Sequence, residues 1–294
     1  MKVFSPAKIN LYLEVVGRRP DGYHELRTIM VPLSFGDDVF LECARSGISI
    51  DARDCGCSED RNLAYRAARL FFERTGRQGG ISISITKRIP VGAGLGGGSS
   101  NAASVLLGLN RLFKAGMSTE ELAAMAGHLG ADCPFFVYRR PMLLGSRGDV
   151  PLMEVELQDR SYLIVVPPLN VSTALVFSKL RLPLMREGGR IKIENISDSC
   201  IEPEHWVEND LESVACSIYP ELTGIKGELL SSGALKAGMS GSGSAFFGIY
   251  ASQAHLLTAM SRLTRHEGYG YIPTTRLTGD MYGDYRGQGV SGQG

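Results

Sequence analysis

The chain reads as an α+β protein, and two observations predict that class. Strand-like runs crowd the first fifty residues, and helical patterns then follow without strict strand-helix alternation. A third observation locates a binding feature. The stretch Pro90-Val-Gly-Ala-Gly-Leu-Gly-Gly-Gly-Ser-Ser-Asn-Ala-Ala103 sets five glycines between a short alternating run and an apolar helical pattern. A length of 294 residues suits one large or two ordinary domains. A boundary near Gly145–Asp149 divides the chain into 1–150 and 151–294.

Ile9–Val16 is partly alternating and rich in β-formers, and Gly17–Gly22 has the composition of a turn. Thr28–Leu33 resumes strand character, with Pro32 pointing to an edge or a bulge. Val39–Cys43 and Ile48–Ile50 follow as strands. Asn62–Thr75 is helical, with Leu63, Ala67, Leu70 and Phe71 on one face and Gly76 as a stop. Ile81–Thr86 alternates as a strand. A helix from about Ser99 to Phe113 carries the stripe Ala102, Val105, Leu106, Leu109, Leu112 and Phe113. Ser118–Leu129 opens with a Ser-x-x-Glu capping box and stops at Gly130. Phe135–Val137 reads as a short strand or a buried segment.

In the second half, Tyr162–Pro168 is a strand ended by prolines, and Thr173–Leu180 a short helix. Residues 181–204 are polar and irregular; Asp210–Tyr219 is helical. Gly238–Tyr250 is a second glycine turn leading into a strand, and Ser252–Glu267 an amphipathic helix. The tail from about Tyr282 has the composition of a disordered terminus.

Lys and Arg number 31, as do Asp and Glu, so there is no global charge to favour nucleic acid or an anionic membrane. The six cysteines are scattered, and Cys55-Gly-Cys57 lacks partners for a metal site. Reduced thiols, no signal-peptide pattern and no apolar run near ~18–20 residues lead to the expectation of a cytoplasmic protein.

Glycines reach positive φ without a Cβ penalty and let backbone wrap a ligand. A helix starting just after them aims free N–H groups and its positive dipole end at that ligand, which suits phosphate; a plain flexible loop is the alternative. No Gly-Lys-Ser/Thr closes the loop, so it is not a Walker A loop. Gly92, Gly94 and Gly97 satisfy G-x-G-x-x-G, but the acidic residue wanted roughly 20 positions on falls at Glu120 and Glu121, inside a helix start. That argues against a dinucleotide fold.

Four further places could carry chemistry. Asp132, between a helix end and Pro134, could be a general base or a turn residue bonding its own backbone. Lys8 and Asn10 share one strand face, which lines a cleft or a solvent-facing edge. Tyr23 and His24 follow a turn; His24 could contact a ligand or be an ordinary satisfied histidine. Phe177, read locally, is core.

Three segments together resemble the GHMP kinase superfamily: Ser5-Pro-Ala-Lys-Ile-Asn-Leu11, the glycine stretch 90–103, and Gly238-Met-Ser-Gly-Ser-Gly-Ser244. Within it, Arg19-Pro-Asp-Gly-Tyr-His-Glu25, Asp60-Arg-Asn-Leu63 and Leu129-Gly-Ala-Asp-Cys-Pro-Phe135 resemble the branch acting in the non-mevalonate isoprenoid pathway. The resemblance implies an N-terminal α+β nucleotide domain like the second domain of ribosomal protein S5, a C-terminal α+β domain, and a site between them. It implies ATP-dependent phosphorylation of the 2-hydroxyl of 4-diphosphocytidyl-2-C-methyl-D-erythritol, with Mg²⁺ following from the ATP chemistry and no ligand to it identifiable. Kinases of the homoserine or mevalonate type, or a non-catalytic nucleotide-binding module, are the alternatives. The implied partner is a small molecule carrying cytidine diphosphate, with no nucleic acid or membrane, on a monomer or homodimer.

By position, Asp132 is implied as the base, with Lys8 beside it and Asn10 positioning the acceptor. Tyr23 and Phe177 would sandwich cytosine, His24 would read its edge, and Thr173 would lie near the same pocket. Asn62, Leu63 and Lys87 resemble adenine-pocket positions. ATP would be held by Pro90, Val91, Gly92, Ala93, Gly94, Leu95, Gly96, Gly97, Gly98, Ser99, Ser100 and Asn101. Gly241, Ser242 and Gly243 would close the site as a third motif. The stretch Met142–Asp149 fits the branch only loosely.

Overall fold

The computed structural model describes residues 1–52, 58–181, 190 and 200–279. Strands β1 (Lys2–Arg18) and β2 (His24–Ala44) are long and antiparallel. Thr28–Leu33 and Val39–Cys43 thus belong to one strand rather than two. Register shifts fall between Pro6 and Lys8 and between Asn10 and Tyr12. The short segment carrying Lys8 and Asn10 is therefore bracketed by irregularities, which re-aim side chains. Pro32 stands opposite Lys8 at the first of them, the bulge position its sequence context predicts.

β3 (Gly47–Asp51) lies parallel to β4 (Gly80–Thr86), and β4 pairs with the far half of β2. The near half of β2 takes β5 (Met142–Gly145), which forms a hairpin with β6 (Val150–Glu154). The stretch Gly145–Asp149 is therefore a turn inside this sheet, and the sheet continues past it. The short β8 (Glu208–Asn209) comes from the other half of the chain and adds to β1 in parallel. A second, antiparallel sheet has the order β11-β7-β10-β9, with β7 (Ser161–Val166), β9 (Lys236–Met239), β10 (Phe246–Tyr250) and β11 (Gly270–Thr275).

Helices α1 (Leu63–Thr75), α2 (Gly97–Leu112), α3 (Thr119–Gly127) and α4 (Cys133–Tyr138) bury Phe71, Leu106, Leu109, Leu122 and Phe135 against Val3, Leu41 and Ile83 of the first sheet. α1 is capped by Asn62, which accepts from the Ala64 amide, and ends at Gly76 in the left-handed region. α3 has the predicted Ser118–Glu121 capping box but stops at Gly127, two residues short of Leu129. Phe135–Val137, expected as a strand or buried segment, is a buried helix: Pro134 sits in its first turn, where the missing N–H costs nothing.

A second apolar layer joins the sheets, Ile9, Leu11 and Val31 meeting Ile164, Phe247 and Ile249. Beyond the second sheet lie α6 (Glu212–Ile218), α7 (Ile225–Ser231) and α8 (Gln253–Arg262), packed on Leu163, Val165, Phe246 and Tyr250. The predicted helix at Thr173 forms as α5 (Thr173–Lys179), capped by Ser172. Most of the irregular stretch 181–204, Cys55, Cys57 and the tail lie outside the described residues.

Candidate active site

The glycine loop connects β4 to α2, and α2 begins at Gly97, two residues earlier than its apolar stripe suggests. Gly92, Gly94 and Gly96 have φ of 74°, 77° and 72°. Gly94 is under a second constraint. A Cβ there would lie 2.4 Å from the Ser240 carbonyl oxygen and 2.9 Å from that of Gly243. The loop is thus pressed against the other glycine turn, Gly241–Gly243, which arrives from the second half of the chain. Ser240 holds the junction, accepting from the Asn10 amide at 3.2 Å and donating to the Gly94 carbonyl at 3.1 Å. The Ala245 and Lys8 amides donate to Ala93 and Leu95 at 3.0 Å, so backbone from three parts of the chain fixes the loop. In this setting the first-turn amides of α2 lack partners within the helix and form an anion-binding mouth.

Lys8 and Asn10 lie beside that mouth. The edge-strand alternative fails: they are 3% and 2% exposed on an interior strand, and the Lys8 ammonium donates to Asn10 Oδ1. Asn10 Nδ2 in turn donates to Thr28 Oγ1 at 2.8 Å, and Thr28 to the Tyr12 carbonyl at 2.7 Å. Lys8 Nζ stands 3.6 Å from Asp132 Oδ2, with side-chain exposures of 4% and 32%. Burying an unpaired ammonium costs several kcal/mol, so the pair is how this strand tolerates a lysine. Asp132 occupies the N-cap position of α4, yet its side chain makes no cap hydrogen bond. The turn-residue reading therefore does not hold, and the carboxylate is left facing the cavity. Next to it, burial pushes the Cys133 thiol up to about 12, which leaves it protonated and inert.

The cavity lined by these groups has a volume of about 1160 Å³ and runs from Gly94 and Gly96 to Tyr23, His24, Thr173 and Phe177. Asp132 is the one carboxylate among the described residues that line it. Thr173 and Ser242 share a hydrogen bond of 2.7 Å, tying α5 to the second glycine turn. Phe177 is not core, as its local context suggests, but lines the cavity. Tyr23 and Phe177, the rings expected to sandwich cytosine, both line this cavity. The His24 ring stacks on Phe177 with centroids 4.9 Å apart and planes at 27°, while Tyr23 has the Arg147 guanidinium over its ring. Burial, reinforced by Arg18, holds the His24 imidazole below its usual range, so it is neutral near pH 7.

Several predicted nucleotide contacts point elsewhere. Ser100 and Asn101 are buried under the loop: Ser100 Oγ accepts from Ser5 at 2.9 Å, and Asn101 Nδ2 donates to Asp37 at 2.9 Å and to Ser5 at 2.8 Å. Lys87 Nζ donates to the fully buried Asp37 at 2.5 Å. Asp37 also accepts from the amides of Arg88 and Ile89 at 2.7 and 2.8 Å. The side chains of Lys87 and Asn101 thus brace the loop from below. Asn62 is occupied as a helix cap, and Leu63 packs against the core of the first sheet. Pro90, Val91 and Ala93 line a separate cavity of about 380 Å³ with Pro168 and Asn170. Sequence reasoning missed Asp37, Thr28, Ser240 and Arg147. Only Asp37 carried a signal, as a carboxylate inside an apolar strand.

Residues 62–140 match the GHMP kinases N terminal domain, and residues 201–269 the GHMP kinases C terminal domain. A 4-diphosphocytidyl-2-C-methyl-D-erythritol kinase of Geobacter sp. (strain M21) is 39% identical over 272 residues, 92% of this chain and 96% of that protein. A crystal structure of a 4-(cytidine 5'-diphospho)-2C-methyl-D-erythritol kinase superposes with a TM-score of 0.76 at 36% identity, covering 95% of this chain and all 100% of the other. A homoserine kinase from Cytophaga hutchinsonii shares the fold, with a TM-score of 0.70 at 18% identity over 94% of each chain. Identity at this level along nearly the whole length places the chain among the GHMP kinases, in the family of the 4-diphosphocytidyl-2-C-methyl-D-erythritol kinases.

Proposed function

We propose that the chain phosphorylates the 2-hydroxyl of 4-diphosphocytidyl-2-C-methyl-D-erythritol with ATP, and that Asp132, Lys8 and the glycine loop carry the reaction. One observation carries the reading: the 3.6 Å Lys8–Asp132 pair sits at the helix mouth, in the same cavity that holds His24 and Phe177.

Phosphoryl transfer asks mainly for positioning and charge stabilisation. The acceptor oxygen attacks the γ-phosphorus, its bond to the ADP oxygen breaks, and the hydroxyl proton passes to Asp132. Lys8, 3.6 Å from that carboxylate, faces the negative charge as it develops. Asn10 and Thr28 hold Lys8 in place. The amides of Gly97, Gly98 and Ser99 receive the phosphates, while Gly241–Gly243 close the site across Lys8 and Asn10. His24, neutral and with one donor and one acceptor nitrogen, suits a base edge, and Phe177 suits its face. The stack between them opens to admit the base.

No group of three or more metal-ligating side chains occurs among the described residues. Among the described residues lining the cavity, the Asp132 carboxylate is the group that fits Mg²⁺, which takes few protein ligands and keeps water and phosphate oxygens. Bound with ATP, it supplies neutralisation of the phosphate charge. We further propose the functional division 1–150 and 151–294, with α5 and the second glycine turn as the second part's contribution. A cytoplasmic location agrees with the reading; no helix among the described residues is long and apolar enough to cross a membrane.

A coupled ADP-release assay with the cytidyl substrate, homoserine and mevalonate tests the function. Turnover with the cytidyl substrate alone supports it. Preference for either of the others, or ATP binding without phosphorylation of any of the three, overturns it.

A further inference from the structure

Arg147 belongs to the turn between β5 and β6, in the stretch whose sequence fits the family only loosely. It lines the main cavity, at the end away from the glycine loop. Its Nε and Nη2 both donate to Asp149 Oδ2, at 3.0 and 2.6 Å, and its backbone amide donates to Asp149 Oδ1 at 3.1 Å. The guanidinium is therefore held by its own turn, with its face directed at Tyr23. The separation from Tyr23's ring centroid is 5.2 Å, well inside cation–π range. Tyr23 itself is 58% exposed and has no other ring or cation partner among the described residues.

The loop around Tyr23 is built in the same way. The Tyr23 amide donates to Asp21 Oδ1 at 3.1 Å, and Arg19 bridges Asp21, Glu25 and Ser146 at 3.2, 2.7 and 3.0 Å. Glu25 accepts from the Ser146 amide at 3.0 Å, and the Leu26 amide donates to the Ser146 carbonyl at 2.6 Å. These bonds clasp the β1–β2 turn to the β5–β6 turn. The backbone of Tyr23 is thus fixed, and the remaining freedom lies in its side chain. A rotating ring loses rotamer entropy when it stacks on a base; a ring already held does not.

We propose that Arg147 is a positioning residue for substrate specificity: fixed by Asp149, its guanidinium holds the Tyr23 ring at the rim of the cavity, ready to stack on the nucleobase of a cytidine nucleotide. This deepens the proposed function and rests on its assignment of the His24–Phe177 end as the base site. Arg147 acts through Tyr23, so its effect falls on binding and not on the chemical step.

The test is a double-mutant cycle of Arg147→Ala and Tyr23→Ala, measured as KM and kcat for the cytidyl substrate and as the inhibition constants of cytidine, CMP and CDP. Arg147→Ala is expected to raise KM about three- to tenfold with kcat within about twofold, the size of one cation–π contact. In the Tyr23→Ala background it is expected to add nothing. Arg147→Lys, which keeps the charge and loses the flat stacking face, is expected to recover part of the loss at most. The loss should be equal for cytidine, CMP and CDP. Fully multiplicative effects of the two substitutions, or a loss that grows with the number of phosphates, would overturn the inference. So would an unchanged KM in folded Arg147→Ala. If the wild-type protein does not phosphorylate the cytidyl substrate, it is the proposed function that fails. If it does and the cycle shows no coupling, only the role of Arg147 fails.

Discussion

The two ends of the main cavity are built on opposite principles. At one end Lys8, Asn10 and Thr28 are buried and joined in a hydrogen-bonded chain, braced by backbone bonds from three parts of the chain. At the other end Tyr23, His24, Phe177 and Arg147 are partly exposed and held by ring contacts. The buried end can be built in advance because phosphoryl transfer needs charges fixed before the reaction. At the open end His24 and Phe177 stack on each other, so a base that used both rings would have to part them. Damage to the buried end should therefore appear in kcat, and damage to the open end in KM.

The largest expected effect tests that division directly. Asp132→Asn should lower kcat by at least about 10²-fold while leaving ATP affinity nearly unchanged. Turnover close to wild type would remove Asp132 from the chemistry and the contrast with it.

Next comes the junction of the two glycine turns. Gly94→Ala places a Cβ against two carbonyl oxygens at positive φ, and should destabilise the fold by roughly 1–3 kcal/mol. Gly98→Ala, whose Cβ would meet only Leu63 Cδ1 at 3.8 Å, should stay within about 0.5 kcal/mol of wild type. Urea unfolding of both variants measures the gap. Equal stabilities would show that the loop is less constrained than its contacts imply.

At the open end, Phe177→Ala should raise KM for the cytidyl substrate about fivefold or more and change kcat less, in line with the loss of one stacking partner. Equal losses for substrates with and without cytosine would place Phe177 outside base recognition. The smallest effect is one of pH. Since His24 titrates below its usual value of about 6.5, KM should be flat above that pH and rise as pH falls below it. His24→Gln should flatten the profile. The linked stability has the same sign: it is fully present above the unfolded value and is lost as pH falls through the lower folded value.

Much of this was legible in the residues. The glycine loop, the capping box at Ser118 and the shared face of Lys8 and Asn10 follow from local rules. A φ preference, a reach of three residues and a period of two each act within a few positions. Phe135–Val137 stayed open between a strand and a buried segment, because three apolar residues fit a strand as well as the buried turn of helix they form. β5, β6 and β11 escaped notice because Pro151 and Pro273 and short length weaken the strand pattern. Lys87 and Asn101 look like ligand groups on paper, since nothing nearby in sequence announces Asp37, fifty and sixty-four positions away, as their partner.

Local chain chemistry is enough to say which segments bend, roughly where helices start, and which residue types could move a proton or grip a phosphate. Which of those groups face the cavity and which brace it from beneath depends on how distant segments pack. Packing sets Arg147 over Tyr23 and His24 against Phe177. The reason is physical: backbone preferences act over a few residues, whereas the partner of a buried charge is whichever group the packed chain brings within hydrogen-bonding distance.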